Sequence, residues 1–143
     1  MILPDHNILG IEPFEAANVQ PSSLDVQLGD ALSEMNTELF DYIDPLNVPP
    51  NLMRPHNSPW PRPGQFVLGC THETVRMPHH VAGQFEGKSS LARLGLIVHV
   101  TAGYIDPGFC GQITLEMTNV GDLPIKLTPG MLIGQIVFHR MTE

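Results

Sequence analysis

The segment QITLEMTN, residues 112–119, alternates between apolar and polar side chains. Successive side chains of a β-strand point to opposite faces of the sheet, so this pattern predicts a strand with one apolar and one polar face. The apolar face comprises Ile113, Leu115 and Met117, and the polar face Thr114, Glu116 and Thr118. Such a polar face is ordinarily exposed to solvent. Alternatively, Glu116, a carboxylate between apolar neighbours, serves as a general acid and base.

Turn-forming residues interrupt the rest of the chain at short intervals. Its 143 residues include 14 prolines and 13 glycines, with runs rich in Val, Ile, Leu and Thr between them. Short apolar runs bounded by such residues predict an all-β fold. Further strands are predicted over residues 24–28, 65–70, 97–101 and 131–138. At this length, residues 1–143 are expected to form one domain.

Two segments depart from the strand pattern. Residues 44–64 are so dense in proline that neither a helix nor a central strand is expected, and they are interpreted as an ordered surface excursion with Trp60 as an anchor. One short helix is predicted, capped by Ser89 or Ser90 and ended by Gly95. The start of this helix, preceded by Lys88, suits an anion.

Charge and hydropathy exclude several classes of protein. The chain has only 7 Lys and Arg and a formal net charge of −8, which argues against a nucleic-acid binder. No apolar run approaches the roughly 20 residues of a membrane span, and the first residues do not resemble a signal peptide, so a cytoplasmic location is expected. Cys70 and Cys110 lack metal-binding spacing and are expected to be small buried residues in a reducing compartment.

The sequence does not contain a complete copy of either of two known motifs. GQFEGKS, residues 83–89, has three residues between its glycines where a phosphate-binding P-loop has four. The HxE and PCxxC elements of zinc-dependent deaminases are absent, so no zinc is expected. His99 is interpreted as a histidine of the core or near the site rather than a metal ligand.

Longer stretches resemble a known family. GKSSLARLGL (87–96), HVTAGYIDPGF (99–109) and ITLE (113–116) closely resemble the dCTP deaminase family of the dUTPase-like superfamily. QPSSLDV (20–26) and PGMLIGQ (129–135) also match. The resemblance implies an all-β, dUTPase-like jelly-roll or β-barrel domain with one short helix. It further implies a homotrimer with active sites between subunits.

The resemblance also implies roles for individual residues. Ser89 and Arg93, with the carbonyl of Ala102, would hold the water that Glu116 activates, and Asp106 would meet the deoxyribose hydroxyl. The residues implied for substrate binding are Lys88, Ser89, Ser90, Leu91, Ala92 and Arg93 at the phosphates, Thr114, Leu115 and Glu116 at the base, and Val100 and Gln135 elsewhere in the pocket. Magnesium would accompany the triphosphate, and deamination itself would need no metal.

The product is open at this point. SLAR (90–93) with HVTA (99–102) resembles members that form dUTP and ammonia, so the main expectation is hydrolytic deamination of dCTP, or of a close cytosine nucleotide, to dUTP. AGYIDPGF (102–109) and IGQ (133–135) resemble bifunctional members that also release pyrophosphate to give dUMP. The sequence is also compatible with a dUTPase and with a non-catalytic nucleotide-binding regulatory module.

The C-terminus gives a further expectation. Family members usually continue past the last strand into a tail that covers the triphosphate, whereas this sequence ends at Glu143. Weaker phosphate discrimination is therefore expected, in a short, viral or otherwise streamlined member acting in a bacterial cell or an infected bacterial host.

Overall fold

A computed structural model describes residues 8–99 and 102–142, which form two antiparallel β-sheets. The strands are β1 Gly10–Glu12, β2 Leu24–Gln27, β3 Ser33–Met35, β4 Met53–Pro55, β5 Phe66–Arg76, β6 Val81–Gly87, β7 Leu96–Ile97, β8 Tyr104–Ile105, β9 Cys110–Asn119 and β10 Leu132–Arg140. A short helix, α1, spans Ser89–Ala92, and a 3-10 turn spans Ala16–Asn18. The all-β class with one short α-helix is confirmed.

The two sheets share one hydrophobic core. The first sheet has the strand order β4-β3-β5-β9-β7, with β1 also paired to β5, and the second has the order β2-β10-β6-β8. Val67, Leu115 and Met117 of the first sheet belong to the same buried cluster as Phe85 and Ile136 of the second. This shared burial of apolar side chains holds the sheets together. No helix in the described ranges is long and apolar enough to cross a membrane.

The strands predicted over 24–28, 112–119 and 131–138 correspond to β2, β9 and β10. The strand predicted over 65–70 continues to Arg76. Of the strand predicted over 97–101, Ile97 lies in β7, which ends there, and residues 100 and 101 lie outside the described residues. β6 was missed because Gly83 and Gly87 lower its strand propensity. It is nevertheless strongly stabilised in place, since it pairs with both β10 and β8.

The proline-rich excursion contributes only an edge strand, β4, where a missing N–H is tolerated. The prediction that Trp60 anchors it is wrong, because Trp60 is 47% exposed. Main-chain hydrogen bonds anchor the excursion instead: Leu127 N–H donates to Pro59 O at 2.8 Å and Ile125 N–H to Pro61 O at 3.2 Å.

The helix is confirmed, but its predicted cap is wrong. Lys88 is the N-cap, with extended backbone angles, and both serines lie inside the helix. Gly95 follows at φ +95°, and a Cβ there would lie 2.7 Å from the nitrogen of Gly121. The close approach of these two turns therefore requires glycine. The expectation of two buried cysteines is also wrong, because Cys110 is exposed at the first position of β9.

Candidate active site

Glu116 lies on the polar face of β9. Ile113, Leu115 and Met117 are 9%, 0% and 0% exposed, which confirms the predicted alternation. Glu116 is half-buried and is directly opposite Leu68 of β5. Because its apolar neighbours point into the core, its carboxylate projects from the outer face of the first sheet. No hydrogen bond or ion pair engages it within residues 8–99 and 102–142.

The predicted phosphate-binding residues form one compact turn. Lys88 begins α1, the helix holds Ser89, Ser90, Leu91 and Ala92, and Arg93 follows as its C-cap. Leu91 packs against the core, whereas both serines, Ala92 and Arg93 are exposed. Leu91 thus fixes the turn against the core, and the side chains of the two serines and Arg93 face solvent.

Lys88 is already engaged within the chain. Its ammonium lies 2.7 Å from Oδ1 of Asp25, a carboxylate that is only 4% exposed. The side-chain amide of Gln20 donates to Oδ2 of the same carboxylate at 3.3 Å. Sequence reasoning missed Asp25, because 63 residues separate it from Lys88.

Gln135 occupies the middle strand of this cluster. It is on β10, directly opposite Asp25 on one side and Glu86 on the other. Its amide nitrogen donates to Gly87 O at 3.1 Å, and its amide oxygen accepts from the hydroxyl of Ser23 at 2.7 Å. The predicted pocket residue therefore lies beside the start of the phosphate-binding turn.

Further predicted residues lie on either side of β8, Ala102 before it and Asp106 after it. Ala102 and Asp106 are both exposed, and Asp106 O accepts from Phe109 N at 3.1 Å in a turn. Val100 lies outside the described residues. Nearby, His99 packs edge-on against Phe85, with ring centroids 6.1 Å apart, and its buried Nδ1 has no partner within the described residues.

One chain does not bring all of these groups together. Glu116 and Thr114 lie on the outer face of the first sheet, whereas Lys88 and Gln135 are attached to the second. No hydrogen bond links the two groups in the part of the chain that the structure describes. Each set of residues is ordered by its own sheet.

A second buried carboxylate, Glu73, was also missed. It is 3% exposed, and both of its oxygens accept from the backbone N–H of Gln27, at 3.0 and 2.9 Å. It lies where the pairing of β5 with β9 shifts register, so it joins β5 of the first sheet to β2 of the second. Burial raises the pKa of Glu73, and the hydrogen bonds from Gln27 partly oppose this.

Glu73→Gln is expected to remove part of the pH dependence of stability. Because the folded state holds the proton of Glu73 more tightly than the unfolded state, this group's contribution is complete below the ordinary glutamate pKa and is lost as pH rises through the raised pKa. Urea unfolding of the wild type and the variant between pH 4 and 8 measures the difference. The exposed Glu12→Gln is the control; a parallel pH dependence in wild type and Glu73→Gln would contradict this role.

Known proteins resemble this chain over nearly its whole length. A family model described as dCTP deaminase-like matches residues 3–141. The chain belongs to this family. A Corynebacterium diphtheriae protein named "dCTP deaminase, dUMP-forming" is 49% identical over 144 residues, covering 97% of this chain and 77% of the relative. A Mycobacterium avium protein of the same name is 51% identical over 140 residues, covering 94% and 74%.

Solved structures show the same fold. The 2'-deoxycytidine 5'-triphosphate deaminase of Agrobacterium tumefaciens superposes with a TM-score of 0.69 at 20% identity, covering 92% of this chain and 43% of that one. The EIAV dUTPase superposes with a TM-score of 0.61 at 18% identity, covering 95% and 91%. The dUTPase-like fold expected from the sequence is therefore confirmed.

Proposed function

We propose that this protein deaminates dCTP by hydrolysis, with Glu116 as general acid and base, and that the final nucleotide is dUMP. The position of Glu116 carries the proposal. It is an outward-facing carboxylate, unpaired within the described residues, on a strand whose other face is fixed in the core. The dCTP deaminases to which the chain is similar support the substrate.

The chemistry assigns one task to each group. Glu116 takes a proton from water held by Ser89, Arg93 and the carbonyl of Ala102, and the resulting hydroxide adds to C4 of the cytosine. The proton passes from Glu116 to N3 of the base, and Glu116 then moves the proton of the C4 hydroxyl to the amino group, so that ammonia leaves and the C4 carbonyl forms. Asp106, exposed at the turn after β8, accepts from the 3'-hydroxyl of the deoxyribose. Proton transfer by a positioned carboxylate typically contributes about 10²–10⁴-fold to the rate.

The main expectation from the sequence was dUTP as the product, whereas the names of the relatives favour dUMP. Both relatives described above are named as dUMP-forming, in agreement with AGYIDPGF (102–109) and IGQ (133–135). The complete reaction then consumes dCTP and two waters and releases ammonia, pyrophosphate and dUMP.

The proposed site is shared between subunits of a homotrimer. The separation of Glu116 from Lys88 and Gln135 on different sheets supports this arrangement. A symmetric oligomer can bring the outer face of β9 of one subunit against the α1 turn of the next, and each interface then contains one complete site.

Magnesium enters this proposal with the substrate. No group of three or more His, Cys, Asp or Glu side chains in the described ranges is arranged to hold a metal ion. A nucleotide triphosphate binds Mg²⁺ through its own oxygens, and this offsets part of its charge against an acidic protein.

An assay of products and metals tests the function. With dCTP and magnesium, ammonia, dUMP and pyrophosphate are expected in equal amounts without accumulation of dUTP. EDTA is expected to weaken substrate binding, and a zinc-selective chelator to leave the rate unchanged. Accumulation of dUTP would contradict the dUMP product, and loss of activity with the zinc chelator, restored by zinc, would overturn the mechanism.

A further inference from the structure

We propose that Asp25 is a positioning residue that fixes the ammonium group of Lys88 for contact with the nucleotide phosphates. This inference rests on the proposed function and deepens it. The two groups are 2.7 Å apart, and the Asp25 side chain is 4% exposed whereas the Lys88 side chain is 23% exposed. The carboxylate is therefore buried beneath a cation that is still partly open to solvent.

The donors of Lys88 divide between these two environments. An ammonium group has three N–H donors. One of them is directed at Oδ1 of Asp25, and the ammonium group makes no other hydrogen bond within the described residues. The remaining donors are available to phosphate oxygens. Asp25 thus holds the Lys88 side chain in one position, and the other N–H groups of the ammonium can still bind an anion.

Asp25 is itself held on several sides. Gln20 donates to its second oxygen, and on the neighbouring strand Gln135 lies directly opposite it. Gln135 in turn binds Gly87 O, one residue before Lys88. Three adjacent strands, β2, β10 and β6, therefore fix both ends of the ion pair and the peptide that leads into α1.

This arrangement has a consequence for binding. A free lysine side chain loses much rotational freedom when it contacts a phosphate, and prior fixation removes part of that cost. Fixed cations matter here because the protein carries a net charge of −8 and repels a triphosphate at longer range. Asp25 adds to the negative charge, but it acts on the phosphates mainly by orienting Lys88.

A double-mutant cycle tests the inference. The variants are Asp25→Asn, Lys88→Met and the pair together, with Asp44→Asn as a matched control in the excursion. Each single change is expected to raise KM for dCTP about tenfold with kcat within about twofold, since hydrogen bonds to charged groups contribute this much. The pair is expected to be no worse than Lys88→Met alone. KM for dCMP, which lacks the outer phosphates, is expected to change much less.

Other results would overturn it. If the KM effects of the two changes multiply, or if thermal stability falls while KM is unchanged, Asp25 is only a structural partner. The paired variant leaves no unpaired charge, so it remains informative if Asp25→Asn alone does not fold: a KM equal to that of Lys88→Met supports the inference, and a further tenfold rise contradicts it. Absence of ammonia from the wild type would contradict the proposed function itself, whereas normal turnover with multiplicative effects contradicts only this inference.

Discussion

Glu116→Gln is expected to lower the rate of ammonia release from dCTP by about 10²–10⁴-fold or more, because glutamine can neither take nor return the proton. The fold is expected to survive, since Glu116 projects from the outer face of β9 and makes no hydrogen bond within the described residues. Steady-state ammonia release measures the loss, and nucleotide binding measured by calorimetry is expected to remain near that of the wild type. Turnover near the wild-type rate would contradict the proposed mechanism.

Mixing two inactive variants tests whether the site is shared. If Arg93 of one subunit and Glu116 of the next act together, trimers that contain both Arg93→Ala and Glu116→Gln subunits have one intact site of three. Random assembly from equal amounts is then expected to restore about a quarter of the wild-type activity. Two preparations of the same variant provide the control, and a mixture without recovered activity would place both residues in one subunit.

Asn119→Ala is expected to destabilise the protein by about 2 kcal/mol or more, because it leaves two backbone groups, Leu123 O and Gly121 N, without a partner and removes one of the two donors to Pro61 O. Asn119 is 0% exposed, and its amide nitrogen donates to Pro61 O at 2.9 Å and to Leu123 O at 2.8 Å. Its amide oxygen accepts from Gly121 N at 2.9 Å. One side chain therefore joins β9 to the excursion and to the turn that follows β9.

Urea unfolding measures this loss of stability. Asn47→Ala is the matched control, because Asn47 is exposed and makes one side-chain hydrogen bond, to Asp44 at 2.7 Å. Little change is expected for the control. Equal destabilisation by the two variants would show that the buried bonds of Asn119 are not the cause.

Local sequence patterns predicted those parts of the fold that depend on local chemistry. The alternation in 112–119 predicted β9 correctly, because the strand has one face in the core and the other outside it. β6, β7 and β8 were missed or misjudged because short or glycine-containing strands are stabilised by the strands beside them, and their own residues carry little signal.

In the candidate site too, only the features that depend on contiguous residues could be predicted from the sequence. The turn at residues 88–93 was predicted because its residues are contiguous, and the structure places them together. The ion pair between Asp25 and Lys88 joins residues far apart in sequence, so no local pattern predicts it. The buried acceptor role of Glu73 depends on the register shift of β5 and on the approach of Gln27, which appear only in the folded chain.

The surface position of Trp60 has a spectroscopic consequence. It is the only tryptophan in the chain, it is 47% exposed, and the ammonium of Lys126 lies 5.6 Å from its ring centroid. Its emission therefore reports the environment of the excursion rather than that of the core. An unfolding curve followed by tryptophan fluorescence measures the release of residues 44–64 from the body of the protein, whereas circular dichroism in the far ultraviolet follows the loss of the two sheets.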